Sequence, residues 1–337
     1  MTILLHRALA IGDNVVAIKA IYALKCLYPS ATIIVATNNI GARLFAKLPF
    51  IDTLINIDAD SSAMSAIKHI DYFIITHRAA QNIALAKSTD ARKIVLRAHL
   101  HSLHSPRFIN DWIFSTQSHP ESANLLRLVR LVDKRVFDSG IGSVDFSKAK
   151  LRWKRENSDF VEAFFANGGG QNDKNANFAR FSDKNRKIIG VNFFGSGGVK
   201  YFSLKSWREM VESLAREFRE HNFIVFCPPN RDVERFSAPN VAIFKNNADL
   251  LNLVAMSAKL NALISVDTGN IHIADNLQIP TLGIYTRKMA SKWRGGTYGG
   301  EFSQFIVADN DRFATNDNKG DKDALLAFLV AEIPNML

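Results

Sequence analysis

Thr2-Ile3-Leu4-Leu5 opens the chain as a short apolar run, and Leu9-Ala10-Ile11-Gly12-Asp13 follows as a turn. Val15, Ile18, Ala20, Ile21, Leu24 and Leu27 then recur at helical spacing up to Pro29, after which Ala31-Thr32-Ile33-Ile34-Val35-Ala36 is again apolar. A short apolar run bounded by turn residues reads as a strand. Apolar residues three and four apart read as one helix face, which a proline terminates. Strand, helix and strand in succession, with the strands near-continuously apolar, predict a parallel sheet covered by helices. Working outward, a helix is predicted around Ala42–Leu48 and strands over Thr53–Ile57 and Tyr72–Ile75.

The same alternation restarts later. Strands are predicted over Lys187–Asn192, Phe223–Cys227, Ala262–Val266 and Thr281–Tyr285, and helices over Ser206–Phe218, Asp249–Ser257, Ile271–Leu277 and Asp321–Glu332. Asn167-Gly168-Gly169-Gly170-Gln171-Asn172-Asp173-Lys174-Asn175 is the one polar, glycine-rich break and reads as a linker. The expected division is a first domain over 1–166, a linker over 167–186, a second domain over 187–320, and a terminal helix over 321–337 that packs back on the first domain. Two successive α/β domains imply a ligand cleft between them.

The 337 residues suit two domains, and 47% hydrophobic with 22% charged residues excludes a disordered, collagen-like or disulfide-scaffold chain. Cys26 and Cys227 sit far apart in apolar surroundings and read as buried thiols of a reducing compartment. His6 and Arg7 interrupt the opening apolar run, so it is no signal-peptide core. Nowhere does an apolar run reach the roughly 18 residues needed to cross a bilayer. A cytoplasmic protein, peripheral at most, is expected.

The net charge of +10 calls for an anionic partner. Residues 1–150 hold 18 Lys and Arg against 11 Asp and Glu, whereas the remainder is nearly balanced at 24 against 21. Between Ile74 and Asn110, Arg78, Lys87, Arg92, Lys93, Arg97 and Arg107 face a single acid, Asp90. This stretch is either a solvated face or a site for phosphates and carboxylates, which arginine grips in bidentate fashion. His99, His101 and His104 are interleaved there, but their spacing fits no established metal-ligand pattern.

Three short motifs carry chemistry. Asp13, at the entrance to the first helix, is either a helix cap or a general base. Gly195-Ser196-Gly197-Gly198-Val199-Lys200 follows a strand, so its amides and lysine suit a phosphate, although an ordinary glycine loop has the same composition. Asp267-Thr268-Gly269-Asn270-Ile271-His272 runs from a buried strand into a helix. It is either an anion site over that helix's amino end or a capped turn with a supporting histidine.

Taken in order, Gly12-Asp13, Lys200 with Trp207-Arg208, and Asp267-Thr268-Gly269-x-x-His272 resemble the bacterial lipopolysaccharide heptosyltransferases, glycosyltransferase family 9. Leu24 to Pro29 and Pro49-Phe50-Ile51-Asp52 match further stretches of that family, and the resemblance covers nearly the whole chain. It implies a GT-B fold, two Rossmann-like domains with parallel sheets facing a central cleft. The first domain would bind the acceptor and the second the nucleotide sugar. The implied reaction is inverting transfer of heptose from ADP-L-glycero-D-manno-heptose to Kdo or heptose of the lipopolysaccharide or lipooligosaccharide inner core, with no cofactor. By resemblance Asp13 is the base, and Lys200 neutralises the donor phosphates. Thr268 and Gly269 hold the pyrophosphate, Asp267 contacts sugar hydroxyls, and His272 supports the turn. Gly195, Ser196 and Gly197 join the donor site, with Asp232 or Glu234 at the ribose and Asn246 and Asn247 at the base. Gly12, Arg78, Arg92 and Arg97 fall to the acceptor, a lipid-linked acidic oligosaccharide at the anionic inner face of the inner membrane.

The chain departs from the family pattern at Tyr201-Phe202-Ser203, Tyr285-Thr286-Arg287-Lys288 and Cys227-Pro228-Pro229-Asn230, all on the donor side. A hexose from another nucleotide sugar is therefore a second reading. A nucleic-acid-binding protein and a nicotinamide-dependent dehydrogenase are readings of other classes. The first lacks a recognition signature and the second lacks the glycine fingerprint.

Overall fold

Ile3, Leu4 and Leu5 are completely buried, and they form the centre of a strand with helices against it on both faces. The computed structural model describes residues 1–60, 62–98, 102, 105–112, 119–168, 183, 185–307 and 319–337, which divide into units Met1–Leu151 and Arg152–Leu337.

The first unit runs β1 (Thr2–His6), α1 (Ile11–Leu27), β2 (Thr32–Thr37), α2 (Asn39–Phe45), β3 (Thr53–Asn56), α3 (Ala63–Ala66), β4 (Tyr72–Ile75), α4 (Ala80–Lys87), β5 (Lys93–Arg97), β6 (Phe108–Asp111), α5 (Glu121–Arg130) and α6 (Lys134–Gly140). Its sheet has the order β3-β2-β1-β4-β5-β6, and every pair is parallel. The winding direction reverses between β1 and β4. In such sheets the crevice at the carboxyl ends of those strands is where ligands bind. Gly12 and Asp13 follow β1 at that edge. Helix α1 buries Val15, Ile18, Ile21 and Leu24, because it lies between the sheet and α5.

The second unit runs α7 (Arg155–Ala166), β7 (Ile188–Asn192), β8 (Phe194–Gly195), β9 (Gly198–Val199), α8 (Leu204–Glu217), β10 (Asn222–Cys227), β11 (Val241–Lys245), α9 (Leu250–Ser257), β12 (Ala262–Val266), α10 (Gly269–Leu277), β13 (Thr281–Thr286), α11 (Arg287–Trp293), β14 (Phe302–Val307) and α12 (Lys319–Met336). The parallel order β11-β10-β7-β12-β13-β14 repeats the winding of the first sheet. On one face Trp207 stacks on Phe193 at 5.5 Å and shares a core with Val211, Leu214, Leu325, Leu329 and Ile333. On the other face Val161 joins Ile224, Phe226, Phe244 and Ala274. Among the described residues no helix is long and apolar enough to cross a membrane.

The structure corrects three expectations. The first unit ends at Leu151 rather than at residue 166, because α7 packs Phe160 and Phe164 against Phe244 of the second sheet. Asn157 secures the same helix by donating to Asp249 at 2.7 Å and Asn252 at 2.8 Å. The expected terminal helix, α12, belongs to the second unit and covers that unit's own core. Its Lys322 pairs with Glu209 at 2.8 Å and its Glu332 accepts from Ser303 at 2.8 Å. Cys26 is exposed while Cys227 is buried, since Cys26 lies on the side of α1 turned away from its buried stripe. Of the expected linker over 167–186, residues 169–182 and 184 lie outside the described residues, as do His99, His101 and His104.

Candidate active site

Asp13 stands in the first turn of α1, but it is not the cap. That place belongs to Ala10, whose extended backbone starts the helix. The carboxylate instead accepts from Arg7 Nη2 at 3.0 Å, and Arg7 Nε donates to the Asp13 carbonyl at 3.1 Å. Arg7 directly follows β1 and is only 1% exposed. A buried guanidinium costs several kcal/mol unless carboxylates surround it. Glu121, which opens α5, is the second one, at 3.4 Å from Arg7 Nη1. Burial pulls the Arg7 guanidinium below its usual value, while Asp13 and Glu121 oppose that shift. Glu121 also accepts from Arg97 Nη2 at 3.2 Å at the end of β5. Two arginines and two acids thus form one chain of contacts at the carboxyl edge of the first sheet.

His6, beside Arg7, is buried, and burial with the nearby positive charge holds its pKa down to about 4. Arg78, after β4, donates to the Ala98 carbonyl at 3.0 Å, so it shares this edge with Arg97 and Gly12. Arg92 does not. It precedes β5 and bonds through its backbone to Ile70, at the amino edge of the sheet. The basic stretch is therefore two groups at opposite ends of β5, and the expected set of Arg78, Arg92 and Arg97 is not brought together.

In the second unit, the glycine-rich stretch forms a tight hairpin, β8 paired antiparallel with β9, with Ser196 and Gly197 at its exposed tip. Gly195 leaves room for Lys200: a Cβ there would lie 2.5 Å from Lys200 Cε. The lysine reaches across to donate to the Asp267 carbonyl, with the Asp267 carboxylate at 3.9 Å. Trp207 Nε1 donates to the Lys200 carbonyl at 2.8 Å, tying the lysine's backbone to α8.

Thr268 is the cap residue of α10 with extended backbone, and its side chain does not cap its own helix. Its hydroxyl accepts from Asn192 Nδ2 at 3.0 Å and lies 3.3 Å from Ser265 Oγ. The helix's amino end is thus left without a side-chain cap beside a lysine ammonium, an arrangement suited to an anion. His272 is buried in the first turn, with its ring 5.9 Å from that of Trp293. Two partners here belong to none of the three motifs. Asn192 orients Thr268, and Asp275 accepts from the Thr297 amide at 2.9 Å, its hydroxyl at 2.6 Å and the Tyr298 amide at 3.2 Å. Arg7 and Glu121 in the first unit lie outside the motifs as well. Asn192, the last residue of a predicted strand, and Arg7, just past the first one, carried a positional signal at the carboxyl edge, whereas Glu121 and Asp275 carried none.

The expected ribose and base contacts lie elsewhere along the same edge. Glu234 is 92% exposed, and its carboxylate is 3.7 Å from Arg208 Nη1. Asp232 pairs with Lys245 at 2.5 Å. Asn246 Nδ2 donates to the Asp249 carbonyl at 3.2 Å. The Asn247 side-chain oxygen accepts from the Asp249 amide at 2.7 Å and from Asn252 at 2.8 Å, so it shapes the turn into α9. Among the described residues no three His, Cys, Asp or Glu side chains cluster as a metal site.

Residues 161–317 match the family model "Glycosyltransferase family 9 (heptosyltransferase)". A putative glycosyltransferase of Haemophilus influenzae is 26% identical over 116 residues, so the match spans about a third of this chain and a third of that relative. A family 9 glycosyl transferase from Veillonella parvula superimposes over 99% of this chain and 96% of its own, at TM-score 0.71 and 16% identity. The ADP-heptose lipopolysaccharide heptosyltransferase II of E. coli covers 100% of this chain and 98% of its own, at TM-score 0.68 and 13% identity. The E. coli heptosyltransferase WaaC, solved with ADP-2-deoxy-2-fluoro heptose, covers 98% and 100%, at 0.63 and 13%. These structural likenesses carry the fold, GT-B with two Rossmann-like domains, and the match at 161–317 lies wholly inside the second unit. The second unit of this chain therefore carries a glycosyltransferase family 9 domain.

Proposed function

We propose that the protein is an inverting glycosyltransferase that moves heptose from ADP-L-glycero-D-manno-heptose to a Kdo or heptose residue of the lipopolysaccharide inner core. The observation that carries this reading is the Lys200 ammonium held against Asp267 at the uncapped amino end of α10, inside the family 9 match. As the bond from the anomeric carbon to the phosphate oxygen breaks, charge develops on the departing ADP. A fixed cation and fixed helix amides stabilise that charge without reorganising. In this reading Thr268 and Gly269 hold the pyrophosphate and Asp267 faces the sugar. The Ser196-Gly197 hairpin tip, Glu234 and Asn247 bound the nucleotide.

Asp13 takes the proton of the attacking acceptor hydroxyl as the new carbon–oxygen bond forms on the opposite face of the sugar, so the anomeric configuration inverts. Gly12, Arg78 and Arg97 meet the acidic groups of the acceptor. The basic first half of the sequence suits an anionic membrane surface on the cytoplasmic side of the inner membrane. The experiment is mass spectrometry after incubation with ADP-heptose and a Kdo-bearing acceptor. A product heavier by one heptose is expected, and none with Asp13→Ala, which should still bind ADP. Near-normal turnover by Asp13→Ala removes it from the base role. Transfer of a hexose from a UDP- or GDP-sugar, with no reaction of ADP-heptose, replaces this donor assignment.

A further inference from the structure

The Arg7 backbone extends the sheet, its amide donating to the Ala36 carbonyl at 2.9 Å, but the three contacts of its side chain do not go to the sheet. They go to the Asp13 carboxylate, the Asp13 carbonyl and Glu121. Glu121 is 5% exposed and is shared between Arg7 and Arg97. Among the described residues, the charged and titratable groups around Asp13 in this cluster include His6 and Arg7 from β1 and its following residue, His77 after β4, Arg97 from β5 and Glu121 from α5.

We infer that Arg7 and Glu121 are positioning residues for Asp13: the buried guanidinium holds the carboxylate in place and ionised, and Glu121 sets how much of that positive charge Asp13 feels. The inference rests on Asp13 being the acceptor base. Two contacts from one planar guanidinium, one to the side chain and one to the backbone of the same residue, fix the carboxylate relative to its own helix. The guanidinium charge favours the ionised carboxylate, the form a base needs. It also weakens that base, and Glu121 offsets this by drawing part of the charge toward itself. Because Glu121 also holds Arg97, the arginine assigned to the acceptor and the base are linked through one carboxylate.

The test is the pH dependence of kcat at saturating ADP-heptose and Kdo-bearing acceptor for wild type, Arg7→Gln, Arg7→Lys and Glu121→Gln, with thermal unfolding of each. Arg7→Gln removes the positive charge, so the acid limb should move to higher pH by about one unit or more. Its kcat should fall about 10- to 100-fold, part of what a positioned base supplies. Glu121→Gln removes the counter-charge, so its acid limb should move the opposite way. Arg7→Lys keeps the charge and should hold the wild-type limb at reduced kcat. Limbs that stay fixed in Arg7→Gln and Glu121→Gln, or that move in the same direction, overturn the inference, since a merely structural role changes stability without opposed shifts. If one variant fails to fold, the other decides by the direction of its own shift. An active Asp13→Asn instead overturns the base assignment itself, and the two failures are told apart by that variant alone.

Discussion

At the scale of single residues, the site depends on contacts between neighbours that share no sequence neighbourhood. Asp13 was legible because a carboxylate directly after a first apolar strand lands at the carboxyl edge of a parallel sheet. Glu121 was not, because 114 positions separate it from Arg7 and nothing local marks it. Lys200 was legible as a cation after a strand, but the reason for Gly195 was not: it makes room for the lysine's own methylenes. Gly195→Ala should therefore push Lys200 off its place. ADP affinity measured by calorimetry is expected to weaken by about tenfold or more, with a smaller effect on the unfolding temperature. His6 supplies a separate test. It is protonated in the unfolded chain below its ordinary value near 6.5 but in the folded one only near 4. Between those values the unfolded state binds the extra proton, so stability falls as the pH drops from about 6.5 to 4, by about 3 kcal/mol in all. Urea unfolding across that window should show the slope, and His6→Leu should flatten it.

At the scale of elements, the strands that sequence patterning revealed are those whose apolar runs stand free of charge. Ala262–Val266 matches its predicted span, and Thr2–Leu5 falls within β1. Strand β5 stayed hidden because Lys93 and Arg97 bracket its three buried residues, Ile94, Val95 and Leu96. The whole region then reads as a basic surface. Strand β14 is an edge strand with Val307 its one buried residue, so its pattern is too weak to read. Helix α7 reads from sequence as part of the first domain because the glycine-rich break after it looks like a boundary, yet it belongs to the second unit. No feature of residues 155–166 alone says which sheet they cover; the packing of Phe160 and Phe164 on Phe244 decides it. Asp275 illustrates how one helix residue holds a loop: it gathers the amides of Thr297 and Tyr298 and the Thr297 hydroxyl. Asp275→Ala leaves those donors without a buried charge to meet and should cost about 2–3 kcal/mol, read as a lower urea midpoint. The residues from Gly295 to Gly300 should then exchange their amides faster.

At the scale of the whole molecule, both halves use one plan, a six-stranded parallel sheet whose first strand lies third in the order. That plan was readable as alternation, while the division point at Leu151 was not. With the nucleotide assigned to the second unit, hydrogen exchange in the presence of ADP should slow around Phe193–Lys200 and Asp267–His272. The segments around Gly12 and Arg78 should be unaffected by ADP alone. Equal protection of both regions would contradict that assignment. Helix α12 has a consequence for synthesis. The first unit has all its residues once Leu151 is made, whereas Trp207, Val211 and Leu214 await Leu325, Leu329 and Ile333 before their core closes. At about 5–20 residues per second, the intervening stretch of about 120 residues leaves that aromatic face uncovered on the ribosome for roughly 6 to 24 seconds. The second half of the nascent chain, rather than the first, is where a chaperone that grips apolar surface would find its target.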